Sequence, residues 1–253
     1  MGEVLRNCRW KLYRAERHIA EMQDILRDHL EKYPGGIFHW EDDGGYHNYI
    51  AGGGLPAQIP AIIGDIAHNL RSALDHAYFQ LVLSNQQVVT NRTQFPFFDT
   101  REELEEFFRD PKRDKRAGGM PTDEVIELLL DDIKPFKNSL LWRLHRLNIE
   151  DKHKMMTTIL AHADASSLQV GTNSFSQMSS QGLQGAFMIR RREKLDLSTF
   201  ADTRVTWLFA GGPMNGYEVF PVLGELLEAV FTTLKKLAFH VRPEFFENYR
   251  GVN

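Results

Sequence analysis

IPAIIGDIAHNLRSALDHAYFQL, residues 59–81, is the most strongly patterned segment of the chain. Ile59, Ile62, Ile63, Ile66, Leu70, Ala73, Leu74, Ala77 and Leu81 gather on one side of a helix as a broad core-facing stripe. Pro56 and Pro60 stand at its start, where a helix tolerates proline, and the expected helix covers 57–84. A helix with so wide an apolar face needs helical partners, and three other segments offer them. Leu5, Cys8, Leu12, Ala15, Ile19, Met22 and Leu26 form a heptad seam over 3–32, stopped by Pro34-Gly35-Gly36. The other faces of that helix carry Arg6, Arg9, Lys11, Arg14, Glu16, Arg17, Glu21 and Asp24, which suits a bundle helix with a solvated back, with a dimeric coiled coil as the alternative. A third pattern, 139–162, runs Leu140, Leu144, Leu147, Asp151, Met155, Thr158. The fourth, 221–242, opens at Pro221, carries Leu223, Leu226, Leu227, Val230, Leu234, Leu237 and Val241 on one face, and ends before Pro243.

Between these helices the period changes. Ile37-Phe38-His39-Trp40 and Tyr46-His47-Asn48-Tyr49-Ile50 flank Asp42-Asp43-Gly44-Gly45, which predicts a β-hairpin insertion over 36–52. Leu168–Val170, Ala186–Arg190, Val205–Phe209 and Tyr217–Phe220 read as strands of a small antiparallel sheet inserted over 166–220. Short helices are expected around Glu102–Phe108 and from Thr122 to Asp131, the second capped by Thr122 or Asp123. Arg109–Gly119 reads as a solvated loop and Arg190-Arg191-Arg192 as a guard on a strand edge, with phosphate contact as the alternative for each. The expected fold class is mainly α with a smaller β part (α+β): a single domain of 1–253 with a four-helix bundle core decorated by the hairpin and the sheet.

Composition sets the boundaries of function. With 253 residues, 42% hydrophobic and 25% charged, the chain can bury a real core, and its formal charge of −4 leaves any nucleic-acid contact to local patches. The single cysteine, Cys8, cannot form an internal disulfide, and its place on the heptad seam suits a buried, inert thiol. The first thirty residues alternate charged with apolar residues, and no run approaches a membrane span, so the expectation is a cytoplasmic protein without membrane attachment. A Walker loop and a Gly-x-Ser-x-Gly elbow are both missing, as is an HExxH sequence.

Two polar runs stand out against this background, Asn69-Leu70-Arg71-Ser72-Ala73-Leu74-Asp75-His76 and Leu147-Asn148-Ile149-Glu150-Asp151-Lys152-His153. Asp65, Asn69, Ser72 and His76 fall in one line beside the apolar stripe, whereas Arg71, Asp75 and His68 lie to the other side, with roughly 140° between Arg71 and His76 on an ideal helix. Asp151 stands where the third stripe predicts burial, so it needs a partner. Arg71 is the expected one and Lys152 the local competitor. One reading of these residues is a structural Arg-Asp-His cluster inside a non-catalytic interaction or regulatory module, with a catalytic site as its rival.

Arg71-Ser72-Ala73-Leu74-Asp75-His76 also resembles the Arg-x4-6-His signature of the HEPN superfamily, all-helical bundles that include metal-independent ribonucleases of toxin and phage-defence systems. The resemblance implies an RNA-cleaving or RNA-binding protein, in many members completed by a homodimer, with Arg71 and His76 acting on a phosphodiester and Ser72 assisting where the family usually has Asn, Asp or His. Asn69, Asp75, Asp151, Lys152 and His153 would support that site, and neither metal nor other cofactor would be required. The same two runs resemble a group of bacterial proteins, a resemblance that implies no activity. A third reading is a metal-dependent hydrolase drawing ligands from His68, Asp75, His76, His145, Asp151, His153, His162 and Asp164. Their spacing is against it.

Overall fold

The computed structural model describes residues 5–33, 37–51, 55–110, 118–153, 159–170, 173–178, 187–192, 194 and 204–241. Helix dominates it. The elements in chain order are α1 (Arg6–Lys32), β1 (Ile37–Glu41), β2 (His47–Ala51), α2 (Ile59–Ser84), α3 (Arg101–Arg109), α4 (Asp123–Leu128), α5 (Leu140–His153), β3 (Ile159–Val170), β4 (Asn173–Met178), β5 (Phe187–Arg191), β6 (Arg204–Phe209) and α6 (Val219–Ala238). Among the described residues no helix is long and apolar enough to cross a membrane.

The chain divides into two compact units: Met1–His18 with Ile63–Met155 and Pro221–Asn253, and Ile19–Ile62 with Met156–Phe220. In the first, α2 buries Ile63, Ile66, Leu70, Ala73, Leu74, Ala77 and Leu81, the stripe anticipated from its period. Leu5 just before α1, Cys8, Leu12 and Ala15 of α1, Leu141, Leu144 and Leu147 of α5, and Leu223, Leu226, Val230, Leu234 and Leu237 of α6 are buried too. Burial pushes the Cys8 thiol up to about 12, so it stays protonated and unreactive. Thr100 caps α3 in a reciprocal box, the Glu103 amide donating to its hydroxyl at 3.2 Å and its own amide donating to the Glu103 carboxylate at 3.4 Å. Thr122 takes the N-cap of α4 without a side-chain hydrogen bond, and that helix widens into a π turn over Leu129–Ile133 ended by Lys134 at φ 51°.

In the second unit β1 and β2 pair antiparallel from Ile37 opposite Ala51 to Glu41 opposite His47. Asp42 closes the turn by accepting from the Gly44 and Tyr46 amides at 3.0 and 3.1 Å, and Gly45 takes the left-handed conformation at φ 71°.

Three expectations need correction. The sheet expected over 166–220 does not form as one sheet. β5 pairs with β2 in the order β1-β2-β5, while β3 takes β4 and β6 as neighbours. The third helix is described to His153 and does not reach 162, because Ile159–Asp164 pairs with Arg204–Phe209. Ile159 is β-branched and a partner strand is available in Val205–Phe209, so His162 lies in a strand and not at a helix end. Tyr217–Phe220 supplies only a bridge between Leu208 and Glu218 before α6 begins at Val219, placing Pro221 in the first turn where no amide donor is missed. Lys112–Arg116 of the basic loop, Met155 and Thr158 lie outside the described residues.

Candidate functional site

The polar runs of α2 and α5 meet in the first unit, but they divide into two groups of opposite character. On one side stands Arg71, 5% exposed. Asp75 is one helical turn away, and the two side chains form an ion pair and hydrogen bond. The other two guanidinium nitrogens each donate as well: Nη2 to the Phe95 carbonyl at 3.1 Å and Nε to His145 Nδ1 at 3.3 Å. Asp75 also accepts from the Phe95 amide at 2.9 Å, so the Arg71–Asp75 pair holds both polar groups of the Phe95 backbone. The Phe97 ring lies 4.6 Å from the guanidinium carbon and stacks on His145 at 4.5 Å with planes 3° apart. Burial, with Arg71 and Arg146 as neighbouring cations, pushes His145 down to about 4. The neutral imidazole that results is the form able to accept from Arg71.

The second group faces outward. His68 and Ser72, a turn apart on α2, approach to 3.4 Å between Nε2 and Oγ. Burial and the nearby Lys152 and Lys11 hold His68 below the usual histidine range, against the opposing pull of Asn148 and Asp65. His76 is exposed and is likewise lowered, by burial and then by Lys11, with Asp75 opposing. Asn69 is buried and spends its amide on the Asp65 carbonyl at 2.8 Å, within its own helix. Asp151 is half-buried over Gly64: a Cβ built on that glycine would collide with the carboxylate. Burial and then the Asp65 charge raise the Asp151 carboxyl, while His68 and Lys152 pull it down. Among the described residues no hydrogen bond or ion pair reaches Asp151.

The expected Arg71–Asp151 pair is therefore replaced by Arg71–Asp75. The i,i+4 spacing puts Asp75 within reach on the same helix, and the other Arg71 donors turn toward Phe95 and His145 while Asp151 sits against Gly64. Arg71 and His76 do not converge: one is buried and the other exposed, as their angular separation on α2 implies. Ser72 meets His68 instead of assisting Arg71. Lys152 is exposed, and His153 closes α5 with a side chain outside the described residues. Sequence reasoning missed the His145 and Phe97 roles, for which Phe95-Pro96-Phe97-Phe98 was the available signal. Among the described residues no three His, Cys, Asp or Glu side chains gather as a metal site, and of the ligands weighed for one, His145 is engaged by Arg71 while His162 and Asp164 belong to the second unit.

No protein-family model matches the chain, and no curated protein or solved structure is significantly similar to it.

Proposed function

We propose that the chain is a non-catalytic helical interaction module on a four-helix core of α1, α2, α5 and α6, in which Arg71, Asp75 and His145 act as an internal strut. One observation carries the reading: the Arg71 guanidinium is buried with each of its three nitrogens donating, to His145, Asp75 and the Phe95 carbonyl, and its face covered by Phe97. To touch a phosphodiester it would have to abandon these contacts and leave Asp75 facing the Phe95 amide alone.

A second reading, a HEPN-like RNA-cleaving protein working without metal, is favoured by His76, which is exposed and held below the usual histidine range by burial and then by Lys11, so that the imidazole is neutral and able to accept a proton. RNA as substrate and a homodimer completing the site belong to this reading. The test is incubation of a mixed RNA pool with wild type, His76→Ala and Arg71→Lys, with and without EDTA. The module reading expects intact RNA throughout. EDTA-resistant cleavage lost in His76→Ala would replace it with the nuclease, and cleavage abolished by EDTA would replace it with a metal-dependent hydrolase.

A further inference from the structure

The outward face of α1 carries a dense basic ridge with two aromatic side chains set into it. From Arg6 to His18 the helix holds five Arg and Lys residues against one carboxylate, Glu16, although the whole chain has a net charge of −4. Arg9, Arg14 and Arg17 are exposed, and between them stand Trp10 at 58% and Tyr13 at 49% exposure. The opposite side of this part of the helix, Leu5, Cys8, Leu12 and Ala15, is buried, so core packing fixes which face points outward. The two rings lie 5.9 Å apart with their planes at 82°.

Four other surface cations are neutralised by carboxylates. Arg27 meets Asp24 at 2.6 Å, Arg101 meets both Glu105 and Asp131, Arg109 meets Glu105 at 3.4 Å, and Lys236 meets Asp132 at 2.7 Å. Among the described residues, Arg9, Arg14 and Arg17 meet no carboxylate and lie on no ring. Long cationic side chains beside two large aromatic surfaces hold solvent-exposed binding capacity that the fold does not use.

The geometry points to α1 as a docking ridge for single-stranded nucleic acid, with phosphates on Arg9, Arg14 and Arg17 and bases stacked on Trp10 and Tyr13. The inference supplies a partner class for the interaction module and rests on that reading. Charge complementarity calls for a polyanion, and the rings select one with exposed π faces, which a single strand presents at every base. A protein partner is less well matched: the centre of a protein interface is depleted of charge, whereas here Arg9, Arg14 and Arg17 surround the two rings with one carboxylate, Glu16, on the same stretch. A bilayer is less well matched too, since the apolar face that an amphipathic helix inserts is buried here.

The test is fluorescence anisotropy of a labelled mixed-sequence single-stranded RNA of about 20 nucleotides, long enough for a site of this class, with the full chain in EDTA at rising salt. Wild type is expected to bind. Arg9→Gln/Arg14→Gln/Arg17→Gln should lower affinity at least tenfold and flatten the slope of log affinity against log salt by about 2. Trp10→Ala/Tyr13→Ala should also cost roughly tenfold or more, and Trp10→Phe should keep most of the binding. All these side chains are exposed, and unchanged circular dichroism checks the fold. Equal binding by wild type and both multiple variants would overturn the ridge. So would stronger binding to a polyglutamate peptide, which indicates an acidic protein, or to phosphatidylserine vesicles, which indicates a membrane. A gel of the recovered RNA separates the two failures: intact but unbound RNA sinks the ridge alone, whereas shortened RNA sinks the non-catalytic module.

Discussion

Arg71 and Asp151 were the two charged side chains expected to neutralise each other within the helical core, and they have opposite fates. Arg71 is buried with three polar partners and a stacked ring, while Asp151 lies half-buried against Gly64 with no hydrogen-bond partner among the described residues. A buried charge persists where its own helix supplies a counter-charge one turn on and a neighbouring loop offers a carbonyl. A carboxylate at a close helix approach has only partial solvation to rely on, and its pKa rises. The largest expected effect breaks the first half of this contrast. Arg71→Ala should cost about 3 kcal/mol of urea stability, because Asp75 and the Phe95 carbonyl both lose their partner. A cycle with Asp75→Asn should show strong coupling between the two sites, whereas one with Asp151→Asn should be additive. Coupling to Asp151 instead would mean that the original pairing is the true one.

Gly64→Ala tests the second half. Alanine would ordinarily favour a helix interior by about 1 kcal/mol over glycine. Here its methyl group would meet the Asp151 carboxylate, so a net loss of about 1–2 kcal/mol is expected instead. The double variant Gly64→Ala/Asp151→Ala should recover most of it, and failure to recover would show that Asp151 is not what closes this space.

The contrast also marks what the sequence could disclose. The buried faces of α2 and α6 were legible because a 3.6-residue period repeats over many turns and nothing interrupts it, and the hairpin because its turn chemistry is local. The end of α5 was not. Met155 and Thr158 continue the helical spacing in the sequence, while Ile159–Asp164 is taken into a strand by pairing with Arg204–Phe209, some forty-five residues on. The β2–β5 pairing escapes sequence for the same reason. Within the candidate site, Arg71 and Asp75 were visible as an i,i+4 pair, yet the competition among Asp75, Asp151, Phe95 and His145 for one guanidinium is decided by tertiary placement.

The smallest effect sharpens the comparison through pH. His145, beside Arg71, is pushed down to about 4, so the unfolded chain takes up a proton near 6.5 that the folded chain refuses. Its stabilising contribution is complete above pH 6.5 and is lost progressively as the pH falls toward about 4. Asp151 has the opposite sign. Its folded pKa is raised above 3.8, so its contribution is most favourable when it is protonated at low pH and is lost as the pH rises through the raised value. Urea midpoints collected from pH 4 to 8 should therefore lose part of their acid-side slope in His145→Gln. They should rise slightly at neutral pH in Asp151→Asn, with the gain shrinking toward the acid end of the range as the wild-type carboxyl, raised above 3.8, protonates. Unchanged acid-side slope in His145→Gln would show that the imidazole titrates freely, and the strut would then lack the neutral acceptor that its Arg71 contact requires.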